Sequence, residues 1–120
     1  MKLLREHTMN IGLAHPDIVD EVAFDPEYDE IVLIINAMEQ SWDDGASVVE
    51  QLKEKIAQYV KFALAGQLVA EFPEHKEKRV RLQINCTVVP GAQILEFIDQ
   101  VEAVLVASKM RIVINHIQAQ

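Results

Sequence analysis

The chain has 120 residues and a formal net charge of −8; half of its residues are hydrophobic and a quarter are charged. Its length fits a single domain, and its composition is that of a globular protein rather than a disordered one. The acidic excess disfavours unspecific binding to nucleic acid or to an anionic membrane surface. A single cysteine, Cys86, excludes an intrachain disulfide, so we expect a reducing compartment and a cytoplasmic location.

The first 14 residues show no strand or helix period. We expect residues 1–14 to form a mobile N-terminal arm and residues 15–120 to form a single α+β domain. Arg5 and Glu6 interrupt the apolar start of the chain before it reaches the length of a signal peptide. No other apolar run approaches the roughly 20 residues that a membrane-spanning helix needs.

A β-hairpin is predicted at the start of the domain. Residues 18–24 alternate in the manner of a strand, in which Asp20 is the polar exception among the apolar set. Residues 25–29 have the composition of a turn. Residues 31–35 are an uninterrupted β-branched run, which is typical of a central strand covered on both faces.

The clearest periodic signal is an amphipathic helix over residues 41–64. Ser41 and Asp44 fit a capping box at its start, and Gly66 can end it in a left-handed conformation. Lys53 and Lys55 lie at the two rims of the apolar arc, where we expect their ammonium groups to stay in water.

The second half of the chain alternates between strands and a helix. After a long connection over residues 67–78, residues 79–88 alternate as a strand, residues 94–105 form an amphipathic helix, and residues 110–117 form a last strand. This predicts the order ββαβαβ: a two-layer sandwich with a four-stranded mixed sheet and two helices on one face. The direction of the third strand stays open.

Right-handed crossovers would place both helices on the same face and leave the other face uncovered. An uncovered parallel sheet is rare, so this face is a candidate interface with a second copy of the chain or with another protein. The candidate interface residues are Arg79, Arg81, Gln83, Asn85, Arg111, Val113, Asn115 and Ile117.

Trp42, Asp43 and Asp44 precede the long helix and form a candidate partner or ligand loop. A tryptophan at this position either packs the helix start onto the core or anchors a partner. The alternative function is therefore a small-ligand-binding protein or enzyme with a pocket near Trp42 and the acidic loop Asp25 to Glu30.

Sequence motifs give no support for catalysis. The four histidines do not have the spacing of a zinc site, and there is no phosphate-binding or nucleophile-elbow motif. Cys86 is on the inward face of its strand, where a thiol behaves as a small core residue. We therefore predict no catalytic residues, metal or cofactor, and favour a non-enzymatic interaction module that binds no nucleic acid or membrane. An immunity-type protein that neutralises a toxin is a third possibility.

Several segments carry a family resemblance: HPDIVDEVAFDPEYDEIVLIIN, then WDD, then LKEKIAQYVKFALAGQL, then Phe72-Pro73 and a strand beginning Arg79-Val80. Over residues 15 to about 117 the chain resembles a family of small uncharacterised bacterial proteins known only as a domain of unknown function. The resemblance implies a bacterial cytosolic protein and brings no active-site residues with it.

Overall fold

A computed structural model describes residues 1–43 and 45–118, in which a five-stranded sheet packs against helices. The strands are β1 (Lys2–Glu6), β2 (Glu21–Asp25), β3 (Glu30–Ala37), β4 (Arg79–Cys86) and β5 (Met110–His116). The α-helices are α1 (Gly45–Leu64), α2 (Gln67–Glu71) and α3 (Ala92–Leu105), and short 3-10 turns cover Pro73–His75 and Val106–Ser108.

The strands lie in the sheet in the same order as in the chain, β1-β2-β3-β4-β5. The pairs β1–β2 and β2–β3 are antiparallel, whereas β3–β4 and β4–β5 are parallel. A parallel pair needs a crossover, which α1 and α2 provide between β3 and β4, and α3 between β4 and β5. The direction of the third predicted strand is thereby decided: it is parallel to the strand on each side.

The main core lies between the helices and one face of the sheet. Alternate residues of the three parallel strands, among them Leu33, Leu82 and Ile112, are buried there with Leu52 of α1 and Ile98 of α3. The opposite side of the sheet is called the open face below. It carries the side chains of Val32 and Ile34 of β3, of the odd-numbered residues from 79 to 85 of β4, and of the odd-numbered residues from 111 to 115 of β5. Ala23, Val32 and Ile34 form a small separate cluster there.

The α+β fold is confirmed, but the predicted four strands and two helices are wrong in number. The fifth strand, β1, lies within the segment predicted as an arm and pairs with β2. A bulge between Leu3 and Arg5 shifts its register, and this irregularity removes the alternation by which a strand is recognised in sequence. Leu13 is buried in the core, so the segment is attached there as well. The third helix, α2, has five residues, too few for a periodic signal.

The predicted bounds of the long helix are partly right. α1 begins at Gly45 rather than at Ser41, and Asp44, the second member of the predicted capping box, lies outside the described residues. Gly66 has a φ of +97° and follows the end of α1, as predicted, although a second helix, α2, begins directly after it. Lys55 does not reach solvent at the rim of α1 but is fully buried.

Among the described residues, no helix combines the length and apolarity that crossing a membrane requires.

Gly66→Ala tests the left-handed turn between α1 and α2. A Cβ at this position would meet no atom within 4 Å, so the cost comes from the backbone alone. We expect the free energy of unfolding to fall by about 1 to 2 kcal/mol. Gly66→Asn is the matched control and should cost less, because asparagine tolerates this conformation. Urea unfolding measures both, and equal costs would contradict the explanation.

Candidate functional site

The predicted interface residues do lie on one side of the sheet, the open face, but they differ in exposure. Arg81 and Gln83 are buried, with 5% and 6% of their surface exposed, so they are not available to a partner. Arg111, Val113 and Ile117 are half-buried. The exposed members are Arg79 and Asn115, while Asn85 is half-buried. The available members are therefore Arg79 and Asn85 at the two ends of β4 and the residues on the β5 side of the face.

An ion-pair network covers the lower end of the open face, where β3, β4 and β5 begin. Arg81 donates through Nη1 to Glu30 Oε1 and through Nη2 to Asp25 Oδ2, both at 2.9 Å. Arg111 holds Glu30 with two hydrogen bonds, from Nε at 2.9 Å and from Nη2 at 2.7 Å. The ring of Tyr28 lies 5.8 Å from the guanidinium of Arg81 and 5.4 Å from that of Arg111. Two carboxylates and two guanidinium groups leave this network without net charge.

The network shifts the pKa values of Glu30, Arg111 and Asp25. The hydrogen bonds from Arg111 hold the pKa of Glu30 below its ordinary value, and Glu30 in turn raises the pKa of Arg111. Burial acts to raise the pKa of Asp25, but hydrogen bonds from Arg81 and from the backbone N–H of Glu27 lower it further than burial raises it. Both carboxylates, Asp25 and Glu30, are therefore ionised at neutral pH. Arginines of the neighbouring strands thus neutralise Asp25 and Glu30, the two ends of the acidic loop.

Uncharged amides follow along the same face. Asn85 Oδ1 accepts hydrogen bonds from Gln83 Nε2 at 2.9 Å and from Asn115 Nδ2 at 3.0 Å. Val113 and Ile117 lie on β5 and just beyond its end, and both are half-buried. The β5 side of the open face therefore offers amide groups and two aliphatic side chains rather than charges, which is a surface suited to contact with protein.

Trp42 packs onto the core near the start of α1, which is the first of the two roles considered for it. Only 9% of its surface is exposed, and its Nε1 donates a hydrogen bond to the carbonyl of Val88 at 2.8 Å. Asp43 is exposed and accepts a hydrogen bond from Ser41 Oγ, and Asp44 lies outside the described residues. A groove of about 600 Å³ lies beside Trp42, lined also by Met38, Gln40, Ser41, Thr87, Val88 and Val89.

The structure does not bring Trp42 and the loop Asp25 to Glu30 together. The loop precedes β3, which has eight residues, and Trp42 follows it, so about 25 Å of strand separates them. Within the part of the chain that the structure describes, the two loops therefore do not share a pocket. Among residues 1–43 and 45–118, no group of three histidine, cysteine or acidic side chains could hold a metal ion. Cys86 is fully buried, and burial raises the pKa of its thiol.

A buried polar cluster is the feature that sequence reasoning missed. The ammonium group of Lys55 has no exposed surface and donates to the carbonyls of His15 and Ile18, at 2.9 and 3.0 Å, and to Asp20 Oδ1 at 2.8 Å. Burial lowers the pKa of Lys55, and the Asp20 carboxylate opposes this change. Two features of the sequence could have indicated this cluster. Asp20 stands among the apolar residues of a predicted strand, and Lys55 stands at the apolar arc of the predicted helix.

Tyr59, one turn after Lys55, completes this cluster. Its hydroxyl donates to the carbonyl of Ile34 at 2.7 Å and accepts from the N–H of Asp20 at 2.8 Å. Asp20 Oδ2 accepts from the backbone N–H groups of Asn36 and Gly12, at 2.8 and 3.2 Å. Burial raises the pKa of Tyr59. Each group has its partners, so the cluster joins α1 to the sheet rather than forming a reactive centre.

The chain matches the family of unknown function DUF6572 over residues 11–118. It belongs to this family. No curated protein and no solved structure matches the chain. The DUF6572 match includes the buried cluster, the ion-pair network and β5, whereas β1 lies before it. Because the family description assigns no activity, the function has to be inferred from the geometry.

Lys55→Met tests the buried pair. The substitution leaves the Asp20 carboxylate and two backbone carbonyls buried without their donor, so the free energy of unfolding should fall by about 3 to 5 kcal/mol. Lys53→Met on the exposed side of α1 is the matched control and should change it by less than about 0.5 kcal/mol. Urea unfolding at pH 7 measures both. Similar values for the two variants would contradict the role of Lys55.

Glu30→Gln tests the ion-pair network through pH. The folded-state pKa of Glu30 lies below the ordinary value near 4.3, so its stabilisation is complete above that pH and is lost as the pH falls through the folded-state pKa. We expect Glu30→Gln to be less stable at pH 7 and to lose less stability than the wild type between about pH 5 and pH 2. Thermal unfolding at several pH values measures this.

Glu54→Gln on the exposed surface of α1 is the control for that experiment and should keep the pH dependence of the wild type. An unchanged pH slope in Glu30→Gln would show that the network does not stabilise the folded state through this carboxylate.

Proposed function

We propose that this protein is a non-enzymatic interaction module that self-associates through the β5 side of its open face or through the edge of its sheet. The observation that carries the proposal is the surface of β5. Its half-buried Val113, together with Ile117 beyond its end, leaves aliphatic surface next to the amide groups of Asn85 and Asn115.

Electrostatics also support this location. Two copies with a charge of −8 each repel, so a contact between them is favoured where acidic groups are neutralised. On the open face, Arg81 and Arg111 neutralise Asp25 and Glu30. The exposed surface of α3 carries Glu96, Asp99 and Glu102 instead, and two such surfaces would repel one another.

Several of the groups with shifted pKa values are out of reach of a substrate. A catalytic acid, base or nucleophile needs a shifted pKa at a position that substrate can reach. Lys55, Tyr59 and Cys86 have shifted pKa values but are fully buried. Glu30, whose pKa is also shifted, is occupied by two arginines. The cytoplasmic location and the bacterial source stay predictions from the sequence.

Sedimentation equilibrium of the purified chain tests the proposal. We expect reversible dimers in the wild type and at least tenfold weaker dimerisation in Val113→Glu, because carboxylates would oppose each other in the contact. Met9→Glu is the matched control: Met9 is an exposed apolar residue between β1 and β2, at the opposite edge of the sheet from β5, and this variant should dimerise as the wild type does. A wild type that is monomeric at every concentration would disprove self-association.

A further inference from the structure

β5 is one of the two edge strands of the sheet, and the two edges differ. β1 has five residues, a bulge between Leu3 and Arg5, and the charged residues Lys2, Arg5 and Glu6. Bulges and charges are the features by which sheet edges avoid pairing with other chains. β5 has seven residues in unbroken register with β4, and it contains no proline, lysine or acidic residue. Its one charged side chain, Arg111, is held by Glu30.

The outer side of β5 presents backbone groups without strand partners among the described residues. The N–H of Ile117 donates to the carbonyl of Cys86 at 2.8 Å, which fixes the phase of the hydrogen bonds to β4. In a parallel pair, every second residue of a strand directs both its N–H and its C=O group to the same neighbouring strand. Residues 111, 113 and 115 therefore bond towards β4, and the N–H and C=O groups of Met110, Ile112, Ile114 and His116 point away from the sheet.

The central part of β5, residues 111–115, is approximately symmetric about Val113. Isoleucines stand on both sides of it, at positions 112 and 114, and hydrogen-bonding side chains stand at positions 111 and 115. Two copies of this strand that run antiparallel about Val113 would place Ile112 opposite Ile114 and Arg111 opposite Asn115 of the second copy. Like charges would not face each other, and all seven residues would be paired.

We infer that β5 pairs antiparallel with β5 of a second copy across a two-fold axis at Val113, which joins the two sheets into one sheet of ten strands. This inference rests on the proposed self-association and specifies its surface. The symmetry about Val113 favours a second copy over an unrelated strand, since a two-fold contact requires a surface that is complementary to itself. The pairing also covers Val113 and Ile114, which are half-buried in the single chain.

Amide hydrogen exchange tests the pairing at individual residues. The N–H groups of Ile112 and Ile114 point outward, so their exchange should slow as the protein concentration rises and dimers form. The N–H groups of Val113 and Asn115 bond to β4 in the single chain, so their exchange should depend less on concentration. Exchange measured by NMR over a concentration series resolves these two pairs of residues.

Cysteine substitution tests the register. If the two-fold axis passes at Val113, the Cα atom of Val113 in one chain would lie about 4.5 Å from that of Val113 in the second copy. A disulfide can span this distance. Val113→Cys should therefore form a disulfide-linked dimer under mild oxidation. Asn115→Cys, on the same face of the same strand, is the matched control: its two copies would be more than about 13 Å apart and should not crosslink. Cys86 is buried, so the wild type serves as the control for background oxidation.

The outcomes separate this inference from the proposed function. Crosslinking of Val113→Cys alone, with concentration-dependent protection of Ile112 and Ile114, supports the strand pairing. Dimers that form while the exchange of Ile112 and Ile114 stays unchanged, or in which Asn115→Cys crosslinks as well as Val113→Cys, would overturn the pairing but retain self-association through the open face. A monomer at all concentrations would overturn both.

Discussion

The arrangement of this fold depends on the hydrogen bonds and the ion pair that the buried ammonium group of Lys55 makes. A charge without exposed surface is tolerated only when its hydrogen bonds are satisfied, and Lys55 has three acceptors, all in the segment of residues 15–20. Any rotation of α1 about its axis would separate the ammonium group from these acceptors. The orientation of α1 is therefore fixed by polar contacts as well as by the apolar core.

Tyr59 extends this constraint to the sheet. Its hydroxyl connects the N–H of Asp20, just before β2, with the carbonyl of Ile34 in β3. Asp20 also accepts from the backbone of Gly12 and Asn36. One cluster thus joins α1, β3 and the segment of residues 12–20 that lies between β1 and β2. Replacing any of its members leaves other buried polar groups unpaired, which makes the cluster a means of specifying one arrangement rather than a source of net stabilisation.

The ion-pair network on the open face has a different consequence, because it acts at the surface. By neutralising Asp25 and Glu30, Arg81 and Arg111 remove charge from one end of a face that would otherwise repel a second copy of an acidic protein. The same contacts bury Arg81 and withdraw it from any partner. The aliphatic and amide surface that remains lies on β5, and it adjoins the strand edge of the sheet. The fold thereby places its uncharged, partly exposed surface at one side of the sheet.

The sequence by itself determined the elements whose signals are local. The 3.6-residue period of α1 and the alternation of β4 appear in the order of residues, because each depends on neighbours one to four positions apart. The family resemblance and the placement of both crossover helices on one face were also available from the sequence, the second because such crossovers are right-handed. The bulged strand β1 was missed, since its extra residue breaks the alternation that marks a strand.

Only the tertiary structure decided which polar residues meet. Asp20 and Lys55 are 35 positions apart in the chain, and Glu30 and Arg111 are 81 positions apart. In the sequence, Lys55 had the pattern of a rim residue with its ammonium group in water, and Glu30 was the last residue of an acidic loop. A charged side chain has the same local pattern whether its partner is water or a residue of a distant strand. The folding of the chain brings these partners together, and with them it decides which part of the open face remains accessible.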